Sequence, residues 1–283
     1  MKPIKKIDLS EIFKEKSPFF YRIIPKFFIA KLKQIVREKD INIILKKLNG
    51  KEKLEFINGS LKELGVTSQN SGFKDLPVSE RVIIVANHPL GGLDGVAMIH
   101  ELGKYRKDIK FLVNDILTSL TPFKEYFIPI NKHGLNSREN ILRLEKLFES
   151  NNCIVIFPAG LVSRKQKNKI KDLEWRKTFI SKAKKYKTTI YPVFVDGENS
   201  SRFYRIANWR KFWKINLNLE MFLLPGEMFL QKGNSINFIM GKPISPKELN
   251  DSKSDLEWAQ LVKEYVYQVK NNSNFKFKDF IKK

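Results

Sequence analysis

The stretch VIIVANHPLGGLDG, running from Val82 to Gly95, ends an apolar run on a histidine and sets an aspartate just beyond a glycine turn. A buried parallel strand ending at Ala86 would carry His88 to the carboxyl edge of a sheet, where α/β proteins place their ligands. Pro89 and the pair Gly91-Gly92 make a tight turn, and Asp94 then stands where a helix begins, able to cap it while facing back to the histidine. An imidazole with one nitrogen held by a carboxylate keeps the other free to take a proton. That is a general base working without a protein nucleophile. The plainer reading has Asp94 only capping its helix and His88 only filling a loop, and the pair alone does not choose between them.

The elements that must position this pair are legible around it. From Arg81 onward, apolar β-branched runs recur at 81–86, 109–114, 153–157, 188–195 and 235–240, and their continuous hydrophobicity suits strands covered on both faces. Helical patterns lie between them. Val96, Ile99 and Leu102 share a face after Asp94. Ser137 is placed to cap a helix bearing Ile141, Leu144 and Phe148. Asp172 opens a pattern that stacks Trp175, Phe179 and Ala183. Ser254 and Glu257 form a capping-box pair ahead of Ala259, Val262, Val266 and Val269. The expected fold is α/β: a single domain with a largely parallel central sheet flanked by helices over 76–283, preceded by a basic helical portion over 1–75.

That N-terminal portion mixes Phe and Ile with Lys and Arg, and Pro25 interrupts an early helix. Phe28, Ile29, Leu32 and Ile35 recur at helical spacing. The stretch reads either as a layer packed on the core or as an interfacial helix on anionic lipid. Residues 208–233 fit the scheme less well: Trp209, Phe212 and Trp213 precede a Met/Phe/Leu run around Pro225-Gly226, which suits a core strand and turn or an apolar loop that meets lipid.

Composition bounds the function. The 283 residues carry 53 Lys+Arg against 30 Asp+Glu, a formal charge of +23, which favours a polyanionic partner such as nucleic acid or an anionic membrane. Lys greatly outnumbers Arg, a bias that an AT-rich genome also produces. The single cysteine, Cys153, sits in an apolar run and reads as a small buried hydrophobe. No secretory signal opens the chain, and no uncharged stretch reaches the roughly 20 residues that cross a bilayer. The three histidines are badly spaced for a metal site. His100 reads as surface or packing. His133 and Asn114-Asp115 fall where they could border the site, though loop and turn roles explain them as well. Asn58-Gly59-Ser60 matches a glycosylation acceptor, which is empty without a secretory signal.

NHPLGGLDG, then FPAGLVSR, then IYPVFVDG resemble, in order and context, the glycerophosphate and lysophospholipid acyltransferases, and most closely their hemolysin-like, aminolipid-acylating branch. Asn87, His88 and Asp94 match the first block of that superfamily. Phe157, Pro158, Gly160 and Ser163 match the third, and Pro192, Val193 and Gly197 the fourth. The resemblance covers roughly 80–200. It implies acyl transfer from an acyl thioester, on acyl-carrier protein or coenzyme A, to the hydroxyl of a lipid acceptor such as a lysophospholipid or monoacylated aminolipid. In that mechanism His88 is the base, Asp94 fixes its tautomer, and turn amides near Gly160 are candidates to bind the oxyanion. No cofactor or metal is required.

The departures are specific. Five residues, Pro89 to Leu93, separate His88 from Asp94 where four are usual. The acid and arginine of the usual F-P-E-G-T-R-S are absent, with Arg164 lying just beyond. The second block survives only loosely in YFIPINKHG, where Asn131 and Lys132 occupy the neighbourhood. Lys132, Arg164 and Lys165 are the cations left to meet the acceptor. The expected setting is the cytoplasmic face of the inner membrane, peripherally attached. Competing classes are a catalytically inactive lipid-binding relative and a basic nucleic-acid-binding protein. The basic residues are scattered and no nucleic-acid motif occurs, so no nucleic-acid partner is expected. A serine hydrolase is disfavoured because G-x-S-x-G is missing.

Overall fold

The computed structural model describes residues 6–16, 18–113, 123–129 and 137–282. Asn114, Asp115, Asn131, Lys132 and His133, singled out above, lie outside the described residues, as does the side chain of Ser137. The chain forms two compact units, one of Met1–Val66 with Asn199–Asn234 and the other of Thr67–Glu198 with Ser235–Lys283.

The first unit is helical. It begins with α1 (Leu9–Lys16), α2 (Pro18–Ile23), α3 (Lys26–Ile35), α4 (Glu38–Lys47) and α5 (Lys53–Leu64). Pro25 does separate two helices: it lacks an N–H to continue α2, and at φ −58° it caps the start of α3. In α5, Phe56, Ile57, Leu61 and Leu64 are buried, whereas in α3 only Ile29 is. The helical run stops at Leu64, and Thr67–Ser71 is already a strand, β1.

The second unit holds the sheet. Its elements continue with β2 (Val82–Ala86), α6 (Gly92–Leu102), β3 (Ile109–Val113), β4 (Phe127–Pro129), α7 (Ser137–Glu149), β5 (Cys153–Ile156), β6 (Arg164–Gln166), β7 (Lys169–Lys171), α8 (Thr178–Tyr186) and β8 (Thr189–Asp196). After α9 (Ser201–Phe212) and α10 (Leu224–Leu230), which belong to the first unit, come β9 (Ser235–Met240), α11 (Asp255–Val269) and α12 (Phe277–Phe280). Among the described residues, seven strands form one sheet in the order β1-β9-β8-β2-β5-β3-β4. Every neighbouring pair is parallel except β8–β9. The sheet is therefore largely parallel, as its apolar strands require.

All five residues of β2 are buried, with Val82 in register with Thr189 of β8 on one side and Cys153 of β5 on the other. Ile83 and Val85 point into a core with Phe148 of α7, Phe179 of α8, Val262 and Val266 of α11, and the buried rings of Trp175, Trp258 and Phe277. The side chains expected on α11 are buried, and its capping box between Ser254 and Glu257 is formed. The two edge strands carry no apolar signature: β1 is TSQNS, alternately exposed, and β4 has three residues.

Three segments differ from expectation. The helix expected from Asp172 starts only at Thr178, because the Asp172 carboxylate is engaged elsewhere. Among the described side chains of α7 the buried ones are Leu147 and Phe148, while Ile141 is 57% exposed. Residues 208–233 hold no strand; they contain the end of α9, a 3₁₀ turn at Leu219–Leu223, and α10 with Pro225 in its first turn.

Glu145 fastens α7 to α8, accepting from Lys182, from Tyr186 and, at 2.7 Å, from Lys185. These donors pull its carboxyl down from 4.5 to about 2. A depressed folded value gives stability that is complete above the unfolded value and lost as protons bind. Acid unfolding monitored from pH 5 downwards is therefore expected to weaken this contact between about 4.5 and 2. Glu145→Gln is expected to flatten the stability profile in that window and to leave it unchanged in shape near neutrality.

Candidate active site

The site grows from the carboxyl end of β2. The next residue, Asn87, is buried, and its amide acts as a substitute peptide: Nδ2 donates to Val195 O (2.9 Å) and Oδ1 accepts from Val195 N–H (2.7 Å). The pairing with β8 thus continues one residue past Ala86, through a side chain. The main chain is freed to turn, and the Asn87 amide is engaged as both donor and acceptor in that pairing.

His88 follows on that turn. Its Nδ1 lies 3.0 Å from Asp94 Oδ2, and its ring stacks on Phe157 with centroids 4.1 Å apart. Asp94 is not the helix cap. Gly91 is, at φ 71°, a left-handed value that glycine takes without strain, and Asp94 is the third residue of α6. From there its Oδ2 also accepts from Leu90 N–H (2.8 Å), tying the turn to the helix. Asp94 is fully buried, and its Oδ1 has no partner among the described residues. Burial pushes its carboxyl above the ordinary value, and the hydrogen bond from His88 is the largest influence opposing that. With Nδ1–H directed at the carboxylate, Nε2 is the nitrogen left to accept a proton, and it has no partner among the described residues.

The second wall comes from the loop after β5. Gly160 sits at φ 65° and closes a turn by donating to Phe157 O (3.0 Å). Of the turn amides near Gly160 expected above as oxyanion donors, that of Gly160 itself is engaged in the turn. Those of Leu161 and Val162 have no partner among the described residues. Pro158 is buried and accepts from Arg176 N–H (3.1 Å). Ser163 N–H donates to His88 O (2.8 Å), and its hydroxyl donates to Asp172 (2.5 Å). Arg164 is buried, with its guanidinium donating to the carbonyls of Val162 and Ser163.

The fold therefore brings His88, Asp94, Phe157, Pro158, Gly160, Ser163 and Arg164 together around one turn. The fourth block lies beside them: Val193 pairs with Ala86, and a side chain on Gly197 would stand 2.8 Å from Leu90. Two residues were missed. Asp172 carries the sequence signal of a helix cap, yet its carboxylate is buried against Ser163 and the His88 peptide. Arg176 is exposed, and its guanidinium carbon would lie 3.6 Å from a Cβ on Gly160, so a cation lies over that turn. Cys153 is buried, which pushes its thiol up to about 12, far from a thiolate at neutral pH. His100, on α6, is partly exposed, and burial lowers its value.

A histidine held by a carboxylate beside a glycine turn is an arrangement that can carry proton transfer. The family model described as "Acyltransferase" matches residues 11–275. The chain belongs to the acyltransferase family. Two curated relatives, both named lyso-glycine lipid O-acyltransferase, are each 38% identical to it over 264 residues. The one from Phocaeicola vulgatus aligns over 93% of this chain and 95% of its own length. The one from Bacteroides thetaiotaomicron aligns over 93% and 97%. Among solved structures, the 1-acyl-sn-glycerophosphate acyltransferase PlsC from Thermotoga maritima superposes with a TM-score of 0.45 at 16% identity, covering 88% of this chain and 94% of that one. The protein is an acyltransferase, and the names of these two relatives fit the branch that its motifs resemble.

In this acyltransferase, Asn87→Ala would leave the buried N–H and C=O of Val195 unpaired. Each such group costs about 1–3 kcal/mol. Denaturant titration is expected to show a loss of about 2 kcal/mol or more, with the remaining folded protein keeping its KM.

Proposed function

We propose that this acyltransferase moves a fatty acyl group from an acyl thioester to the hydroxyl of a monoacylated aminolipid, of the lyso-glycine lipid kind, at a membrane surface. The observation that carries the reading is the 3.0 Å bond from His88 to Asp94, with Nε2 left open. Nε2 takes the proton of the acceptor hydroxyl as its oxygen attacks the thioester carbonyl. Asp94 holds the tautomer and steadies the imidazolium, and the Phe157 ring limits rotation of the imidazole. The tetrahedral intermediate collapses with loss of the thiolate, which recovers the proton from His88. The amides of Leu161 and Val162 are the donors available to the oxyanion. The acceptor class is supported by the names of the two 38% identical relatives, which align over nearly the whole chain. Acyl-carrier protein and acyl-CoA are the two donors to be told apart, and a charge of +23 suits an acidic carrier.

Membrane attachment is proposed through the first unit. On α2 and α3, Phe19, Ile23 and Phe27 are 70%, 61% and 74% exposed, with Arg22 and Lys26 between them. At the end of α9, Trp209, Phe212 and Trp213 are 54%, 77% and 61% exposed, next to Lys211 and Lys214. Aromatic rings in water among cations fit a headgroup boundary rather than bulk solvent. Among the described residues, no helix is long and apolar enough to cross a membrane. The face proposed is the cytoplasmic side of the inner membrane.

The experiment is acyl transfer from labelled acyl-carrier protein and from acyl-CoA to lyso-glycine lipid, lysophosphatidate and glycerol phosphate. Wild type is expected to turn over the first acceptor. His88→Ala and Asp94→Asn are expected to lower kcat by about 10²–10⁴-fold. Equal rates in wild type and His88→Ala would overturn the mechanism, and turnover on lysophosphatidate alone would overturn the acceptor. Sedimentation with anionic vesicles tests attachment. Each buried aromatic is worth about 1.5–3 kcal/mol, so replacing Trp209, Phe212 and Trp213 with serine is expected to cut vesicle binding by about 100-fold or more.

A further inference from the structure

The peptide groups on both sides of His88 are gripped. Its N–H donates to Asp172 Oδ1 at 3.2 Å, and its C=O accepts from Ser163 N–H at 2.8 Å. The Ser163 hydroxyl completes the ring by donating to the same Asp172 oxygen at 2.5 Å. The other oxygen, Oδ2, accepts from the Trp175 indole N–H at 2.9 Å. Asp172 and Ser163 are each 1% exposed and Trp175 0%, so water does not compete for these bonds.

This carboxylate is delivered by the tertiary fold rather than by sequence proximity to the histidine. The chain leaves Ser163, runs out and back through the β6–β7 hairpin, and returns at Asp172. Helix α11 holds it there. Tyr267 Oη accepts from Asp172 N–H at 2.7 Å, and Gln260 clasps the Trp175 backbone at both N–H (3.2 Å) and C=O (2.7 Å). The carboxylate does not cap the helix that follows. Its three donors are the peptide of the base, a hydroxyl that spans to it, and an indole that aims it.

We propose that Asp172 is a positioning residue for His88, acting through Ser163 and the His88 peptide to hold the imidazole in line between Asp94 and Phe157. The proposal rests on His88 being the base. A carboxylate can accept at both oxygens, whereas the amide of asparagine would set an NH₂ group against either the indole N–H or the His88 N–H. Asp172→Asn therefore keeps the volume and breaks the alignment. Burial raises the Asp172 carboxyl above its ordinary value, and the bonds from Ser163, Trp175 and the His88 N–H act against that rise.

The test combines kinetics with a spectrum that needs no substrate. A small misplacement of a reacting group costs up to about 100-fold, so Asp172→Asn is expected to lower kcat by about 10–100-fold with KM for donor and acceptor unchanged. In a His88→Ala background the same substitution is expected to leave the residual rate unaltered, because the residue acts through His88. The chain has 3 histidines, so ¹⁵N-histidine labelling gives a simple spectrum. The downfield Nδ1 proton of His88, assigned by its loss in His88→Ala, is expected to shift or broaden in Asp172→Asn. Ser163→Ala, which removes only the hydroxyl, is expected to do the same to a smaller extent, and it decides the matter if Asp172→Asn does not fold. An unchanged kcat with an unchanged His88 signal would overturn the proposal. So would a raised KM at constant kcat, or an equal loss without His88. If wild type acylates none of the acceptors yet the His88 signal moves in Asp172→Asn, the acyl-transfer reading fails while the positioning role stands.

Discussion

Two carboxylates, Asp94 and Asp172, are buried at the carboxyl end of one strand, and the rest of the site answers to that constraint. A carboxylate withdrawn from water must be met by donors or give up its charge. For Asp94 the donors are the His88 ring and the Leu90 amide. For Asp172 they are the His88 amide, the Ser163 hydroxyl and the Trp175 indole. These groups come from three separate segments. Satisfying both acids therefore requires the turn after β2, the loop after β5 and the return from the β6–β7 hairpin to converge on one histidine. Packing of α11 beneath Trp175 keeps them there.

The sheet makes such convergence possible. Because β2 lies between β5 and β8, the loops leaving its carboxyl end and that of β5 open on the same edge. Asn87 supplies the transition from strand to turn, since its amide reproduces a peptide's donor and acceptor against Val195 without continuing the strand. A strand residue without such a side chain would leave two buried backbone groups of β8 unpaired.

Charge near the Gly160 turn is arranged in a way that the motif does not spell out. Arg164, the arginine adjacent to FPAGLVS, is turned inward on the carbonyls of its own loop. The guanidinium that lies over Gly160 belongs to Arg176, anchored through its backbone to Pro158. The departure of the third block from its usual wording thus coincides with a cation supplied from further down the chain.

The sequence by itself determined the strands that are buried on both faces, the capping box of α11, and the His88–Asp94 pair with the Phe157–Ser163 block. Each of these is a local pattern: hydrophobic period, cap spacing, or residue types fixed a few positions apart. It was silent on β1 and β4, because edge strands need no apolar run, and it assigned Asp172 to a helix start, because an aspartate ahead of an apolar-periodic segment has that signature. Asn87 in register with Val195, Asp172 under the His88 peptide and Arg176 over Gly160 were decided only by the tertiary structure. Their partners lie between 16 and 108 positions away in sequence, and a contact of that range depends on how the sheet is ordered and where its loops return.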